Sequence, residues 1–138
     1  MLDDVLAHAA SLGLKVKFTD LGRRAGELRR SGLVLINERR SKPAQRVAIA
    51  HECGHHAHGH GWSAAHDVPR DEREADTYAA RLLVSPVEYA LAERMYGGHA
   101  GAIARELEVP VPLIELWRTE VLRRGNLPQR VGGLRLLA

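Results

Sequence analysis

A single cysteine, Cys53, in 138 residues leaves no internal disulfide to be made. Aromatic residues are scarce at 4%, so a core must be built from Leu, Val, Ile and Ala. No apolar run approaches the roughly 20 residues that span a bilayer. The opening MLDDVLAHAASLG carries two acidic residues and has neither the basic flank nor the apolar stretch of a signal peptide. Together these absences predict a cytoplasmic protein without a membrane segment. Internal repeats and low-complexity tracts are also missing. What is present is a hydrophobic fraction of 45%, enough for one domain with a modest core. The net charge of +3 comes with Arg pairs at 23–24, 29–30, 39–40 and 123–124. They are scattered rather than striped along one face, which reads as solvated surface and argues against a nucleic-acid footprint.

Periodicity divides the chain into a short mixed segment and a helical remainder. Residues 2–12 read as a helix closed by Gly13, followed by extended runs over Leu14–Thr19 and Leu33–Asn37. Residues 22–31 can supply an irregular edge strand between them. Ser41 and Pro43 start a helix reaching about His58, where Gly59 and Gly61 stop it. A second helix is expected over 70–84. Ser85-Pro86-Val87-Glu88 has the form of a capping box opening a third helix to Tyr96, with two more near 99–108 and 112–124. The expectation is an α+β fold: a small N-terminal β-sheet packed on a mostly helical body. Within a single domain, 1–40 would hold the first helix and sheet, 41–96 the metal-site helices, 97–125 a helical pair and 126–138 a tail.

The chemistry lies in His51-Glu52-Cys53-Gly54-His55, which matches H-E-x-x-H. Residues four apart share a helix face, so both imidazoles can reach one metal ion. Glu52 beside them can take a proton from water whose pKa the cation has lowered towards ~7. Zinc suits imidazole and carboxylate ligands and leaves a position open for water. With 8 His and 11 Glu in the chain, about 0.04 accidental matches are expected. The surrounding pattern also argues for a site. Ala44, Val47, Ala48, His51, His55 and His58 share one sector, while Ile49, Cys53 and Ala57 form an opposite apolar stripe. A helix buried on both sides would not carry two His and a Glu inward without a partner. Cys53 reads as a small buried residue rather than a ligand.

A catalytic zinc usually takes a third protein ligand. In the downstream helix Glu72, Ala75, Asp76, Ala79 and Leu83 share a face, with Glu74 pointing away. Glu72 is the favoured ligand, and Asp76, one turn on, is placed to accept the free N–H of a ligand His. Small Ala75 and Ala79 would let the two helices approach closely. Glu74 is expected to close a capping box with Asp71. The alternative third ligand is His60, which a short loop between Gly59 and Gly61 could swing onto the metal. The longer metzincin pattern fails, because it needs Gly at 58 and His at 61 where the chain has His58 and Gly61. His56 and His58 are expected to sit at the helix end.

VAIAHECGHHAHGH followed by EREADTYAARLLVSP resembles the ImmA/IrrE family of metallopeptidases over about residues 32–90. The resemblance implies a zincin-like, gluzincin-like enzyme with one zinc ion per chain. Its ligands would be His51, His55 and Glu72, and its base Glu52. Residue 76, often Asn in the family, is Asp here, and the usual Leu-Leu-Met-Pro ending is LLVSP. It further implies an endopeptidase that cleaves or inactivates a helix-turn-helix repressor, an anti-repressor of a phage, mobile element or stress operon.

Two other readings compete. The protein could be a zinc-containing regulator that inactivates its partner by docking without cleavage, but a structural site has no need of Glu52. Residues 102–117 also have the cadence of a helix-turn-helix. Glu106, Glu108 and Glu115 would repel phosphate there, so the segment reads as a packing pair of helices without direct DNA contact. The residue that would stabilise an oxyanion stays open among Tyr78, Tyr89, Tyr96, Arg81 and several histidines.

Overall fold

The computed structural model describes residues 1–60 and 68–124. The elements run α1 (Leu2–Ser11), β1 (Lys15–Thr19), β2 (Gly26–Leu28), β3 (Leu33–Asn37), α2 (Lys42–Ala57), α3 (Val68–Leu83), α4 (Pro86–Tyr96), α5 (Ala100–Leu107) and α6 (Val111–Arg124). The fold is α+β. The chain divides into two compact units, 1–79 and 80–138. Among the described residues, no helix is long and apolar enough to cross a membrane.

In the first unit the sheet order is β1-β3-β2, with β1 parallel and β2 antiparallel to the central β3. β3 is the LVLIN run, and its last four residues are buried, as a strand covered on both faces requires. β2 is three residues long and leaves one edge unpaired among the described residues. Buried Asn37 ties this edge down. Its Nδ2 donates to the Gly22 and Arg24 carbonyls at 2.9 and 2.8 Å, and its own carbonyl accepts from Gln45 Nε2 at 3.1 Å. One residue, through its side chain and its backbone carbonyl, thus ties together the loop into β2, the end of β3 and the first turn of α2.

α2 begins where expected: the Ser41 hydroxyl accepts from the Ala44 N–H, with Pro43 in the first turn. It ends at Ala57, and Gly59 takes a left-handed φ of +67° that an L side chain avoids. Gly61 lies outside the described residues. Ala48, Ile49, Ala50 and Cys53 are buried, and the helix packs on α1, β2 and β3. α3 starts at Val68, two residues before the expected boundary. Asp71 therefore stands inside the first turn, 2% exposed, and the expected capping box with Glu74 is not formed.

The second unit carries α4 to α6. Ser85 caps α4 by accepting from the Glu88 N–H, and Gly97 ends it. Ile103 and Ile114 are fully buried in the α5–α6 pair. Tyr89 and Trp117 meet at 4.5 Å between ring centroids, and Arg118 donates to the Tyr89 hydroxyl at 2.6 Å. Residues 102–117 are thus a packed helical pair. The tail from Leu127 lies outside the described residues.

Candidate metal centre

His51 and His55 stand one turn apart on α2, with ring centroids 4.7 Å apart and edge to face. Their Nε2 atoms face each other at 3.1 Å. Glu72 reaches in from α3 with both carboxylate oxygens, 3.1 Å from His51 Nε2 and 2.8 Å from His55 Nε2. All three residues can offer a donor atom within 4.8 Å of the others. Bonds of 2.0–2.1 Å at the tetrahedral angle separate ligand atoms by about 3.3 Å, and the two Nε2 atoms at 3.1 Å are close to that spacing. The chemistry of the set fits as well. Two imidazole nitrogens and a carboxylate converge, and a single hydrogen cannot satisfy them all.

The close approach of the helices makes this convergence possible. A Cβ built on Gly54 would lie 2.8 Å from Ala75 Cα and 2.9 Å from the Ala75 carbonyl oxygen. Gly54 and Ala75 are therefore the contact at which α2 and α3 touch backbone to backbone. The small residues of α3 had suggested this approach. The glycine on the other side was not singled out, although it is one of the two variable positions inside the motif.

Asp76 Oδ1 lies 2.8 Å from His51 Nδ1. An ionised carboxylate only accepts, so His51 Nδ1 carries the hydrogen and Nε2 keeps its lone pair for the cluster. Burial works against the charged form of His51, but the Asp76 hydrogen bond and the charges of Asp76, Glu52 and Glu72 lift its pKa above the ordinary value. For His55 burial and the neighbouring His51 charge win, and its pKa falls.

Glu52 is buried at the other side of His51. Its carboxyl is pushed up to about 7, first by burial, with the charges of Glu72 and Glu27 adding and that of His51 opposing. A Cβ on Gly26 would stand 3.2 Å from Glu52 Oε2, so the backbone of β2 passes directly over this carboxylate. Neither Gly26 nor Glu27 was marked in the sequence, because nothing local says which strand will cover the helix. Glu27 itself is held by Arg24 and Arg29 at 2.6 and 2.9 Å. Cys53 is fully buried, its thiol pushed up to about 11 mainly by burial, and it is no part of the cluster.

His60 is brought to His55 but on the far side from Glu72. Its Nδ1 lies 2.9 Å from His55 Nδ1, and its Nε2 lies 2.7 Å from Glu74 Oε1. His58 caps α2 and stacks on His60 with ring centroids 5.2 Å apart. Among the residues considered for an oxyanion, each tyrosine is engaged elsewhere: Tyr78 with His8 at 2.6 Å, Tyr89 with Arg118, and Tyr96 with Glu106 at 2.9 Å.

A buried carboxyl beside two helix imidazoles, with a third donor from the next helix, is the build of a metallopeptidase on an α+β scaffold. The chain belongs to the peptidase family described as the IrrE N-terminal-like domain, whose family model matches residues 9–115. Its substrate class is accordingly protein. Compared with curated proteins, the chain has no match.

Proposed function

We propose that the protein is a zinc-dependent endopeptidase with one ion per chain held by His51, His55 and Glu72, and with Glu52 as general base. The observation that carries this reading is the convergence of the three donors, with the buried Glu52 carboxyl one residue along the same helix. When bound, zinc acidifies a water molecule and polarises the scissile carbonyl. The rest is the work of the chain. Glu52, poised near neutrality, takes a proton from the attacking water and returns it to the leaving amine. Asp76 holds the His51 ring by its Nδ1–H. Gly26, with no side chain, keeps the space between β2 and Glu52 narrow but unobstructed. A substrate segment in extended form would add as a further strand along the unpaired edge of β2, beside this carboxylate.

The substrate we infer is a folded partner cut at one exposed segment, a helix-turn-helix repressor of a phage, mobile element or stress operon, met in the cytoplasm. Recognition would fall to docking of the partner along the unpaired edge of β2. The family resemblance supplies the repressor. Incubation with casein and with a helix-turn-helix repressor encoded beside the gene, with products mapped by mass spectrometry, tests the assignment. A single cut in the repressor with casein left whole is expected. Broad digestion of casein with the repressor intact would refute it.

A further inference from the structure

The proton arrangement around His55 assigns a role to a residue outside the donor set. His55 Nδ1 and His60 Nδ1 are 2.9 Å apart, a distance that requires one hydrogen between them. The position of that hydrogen depends on what each ring does at its other end. Its Nε2 lies 2.7 Å from Glu74 Oε1 and 3.3 Å from Asp71 Oδ1. Ionised carboxylates only accept, so His60 Nε2 must donate. A His55 that serves a cation through Nε2 carries its own hydrogen on Nδ1, so His60 Nδ1, facing it at 2.9 Å, is the acceptor of that bond. His55 is left with a lone pair on Nε2, the atom 2.8 Å from Glu72 and 3.1 Å from His51 Nε2.

We propose that His60, backed by Glu74 and the buried Asp71, is a positioning residue that sets the tautomer and ring orientation of His55 for metal binding. The inference rests on the proposed ligand set. His51 gets the same service in one step from Asp76, while His55 gets it in two, through an imidazole and then a carboxylate. His60 and Asp71 are almost wholly enclosed, with side chains 6% and 2% exposed, whereas Glu74 is 40% exposed, so the ring is shielded while its carboxylate partner reaches solvent. The same arrangement answers a second possibility. His58, His60 and Glu74 also offer three donor atoms within 4.8 Å. A cation there would take the Nε2 lone pair of His60 and move its hydrogen to Nδ1. Two N–H groups would then face each other across 2.9 Å whenever His55 is a ligand. Occupation of the two groups is therefore antagonistic, and the second one is used for hydrogen bonding.

The test uses zinc affinity by chelator competition on the full chain, together with nitrogen NMR of histidine-labelled, zinc-loaded protein. The spectra should place hydrogens on Nδ1 of His55 and on Nε2 of His60. His60→Ala should weaken zinc by roughly 10–100-fold, the usual cost of losing an outer partner of a ligand. His60→Asn, whose Oδ1 stands where Nδ1 stands and can accept the same hydrogen, should recover most of that loss. Wild-type affinity in His60→Ala, or an Asn variant as weak as the Ala variant, overturns the assignment. So does a zinc-shifted nitrogen on His60, which would make it a ligand. His55→Ala separates the two levels: if it keeps stoichiometric zinc, the ligand set itself has failed, whatever His60 does.

Discussion

His55 looks onto two groups built from the same materials. On one side are the His51 imidazole and the Glu72 carboxylate; on the other are His60, His58, Glu74 and Asp71. Both groups span α2 and α3 or the turn after α2, and both could be taken for a metal site from their residue types alone. Their geometry differs. In the first, nitrogen faces nitrogen at 3.1 Å and each carboxylate oxygen meets a different ring. In the second, the shortest contact is a 2.7 Å imidazole–carboxylate pair, and His58 Nδ1 stands 3.7 Å from the nearest Glu74 oxygen. The first brings two imidazoles and a carboxylate within 3.1 Å of one another, whereas in the second one imidazole stands 3.7 Å off. Identity of side chains thus decides less than which ring atoms are left with lone pairs.

The largest expected effect breaks the first group. His51→Ala or His55→Ala should abolish stoichiometric zinc binding, read by metal analysis after dialysis, since each leaves too few ligands. Glu72→Gln should weaken zinc by more than the roughly 10–100-fold expected for an outer partner, and Glu74→Gln by less than Glu72→Gln. Zinc retained by Glu72→Gln and lost from Glu74→Gln would exchange the roles of the two groups.

Next comes Glu52→Gln, which keeps shape and removes the proton acceptor. Zinc content and fold should persist while peptide-bond cleavage falls by about 10²–10⁴, the range that general base catalysis supplies. The measurement is repressor cleavage at matched zinc loading. A variant that silences its partner as fast as wild type would favour docking without cleavage.

How far the sequence foretold these groups depends on distance along the chain. His51, Glu52 and His55 sit within one helical turn, so their shared face follows from the period alone. Glu72 and Asp76 were legible for the same reason, and the structure brings both to the imidazoles. The helix starts at Ser41 and Ser85 and the helix end at Tyr96 were equally local. What failed to show was non-local. The parallel pairing of β1 with β3, which puts β2 at the edge, is a choice among strand orders that no single run encodes. The second group was missed for a related reason. Asp71 reads as the capping-box partner of Glu74, and only the fold reveals that it is buried against His60.

A smaller effect tests what both groups share, the spacing of α2 and α3. Gly54→Ala should gain up to about 1 kcal/mol of intrinsic helix preference. Against that stands a Cβ at 2.8 Å from Ala75 Cα, a backbone atom that cannot rotate away. Overpacking of this kind typically costs about 1–3 kcal/mol, and a backbone obstacle puts it at the upper end. A net loss of about 1–2 kcal/mol is therefore expected in chemical denaturation of the metal-free protein. A variant more stable than wild type would show that the helices are not in contact at this point.

The smallest effect is expected at His58, the residue that most nearly makes the second group a metal site. Its ring is 42% exposed, and its Nδ1 lies 3.7 Å from Glu74 Oε1, beyond hydrogen-bond reach. What it contributes is a stacked face on His60, at 5.2 Å and 14° between planes, near the C-terminal end of α2. An exposed contact of this sort is worth no more than about 0.5 kcal/mol, within the usual range for surface substitutions. His58→Ala should therefore leave the melting temperature and the zinc content almost unchanged, while His60→Ala does not. The informative arm is a zinc titration of protein already holding one equivalent. If wild type takes up a second equivalent that His58→Ala cannot, the second group does bind metal and the contrast between the two sides of His55 fails. If neither protein takes up a second equivalent, the second group does not bind metal beside the first, as the hydrogen bonding proposed for His60 requires.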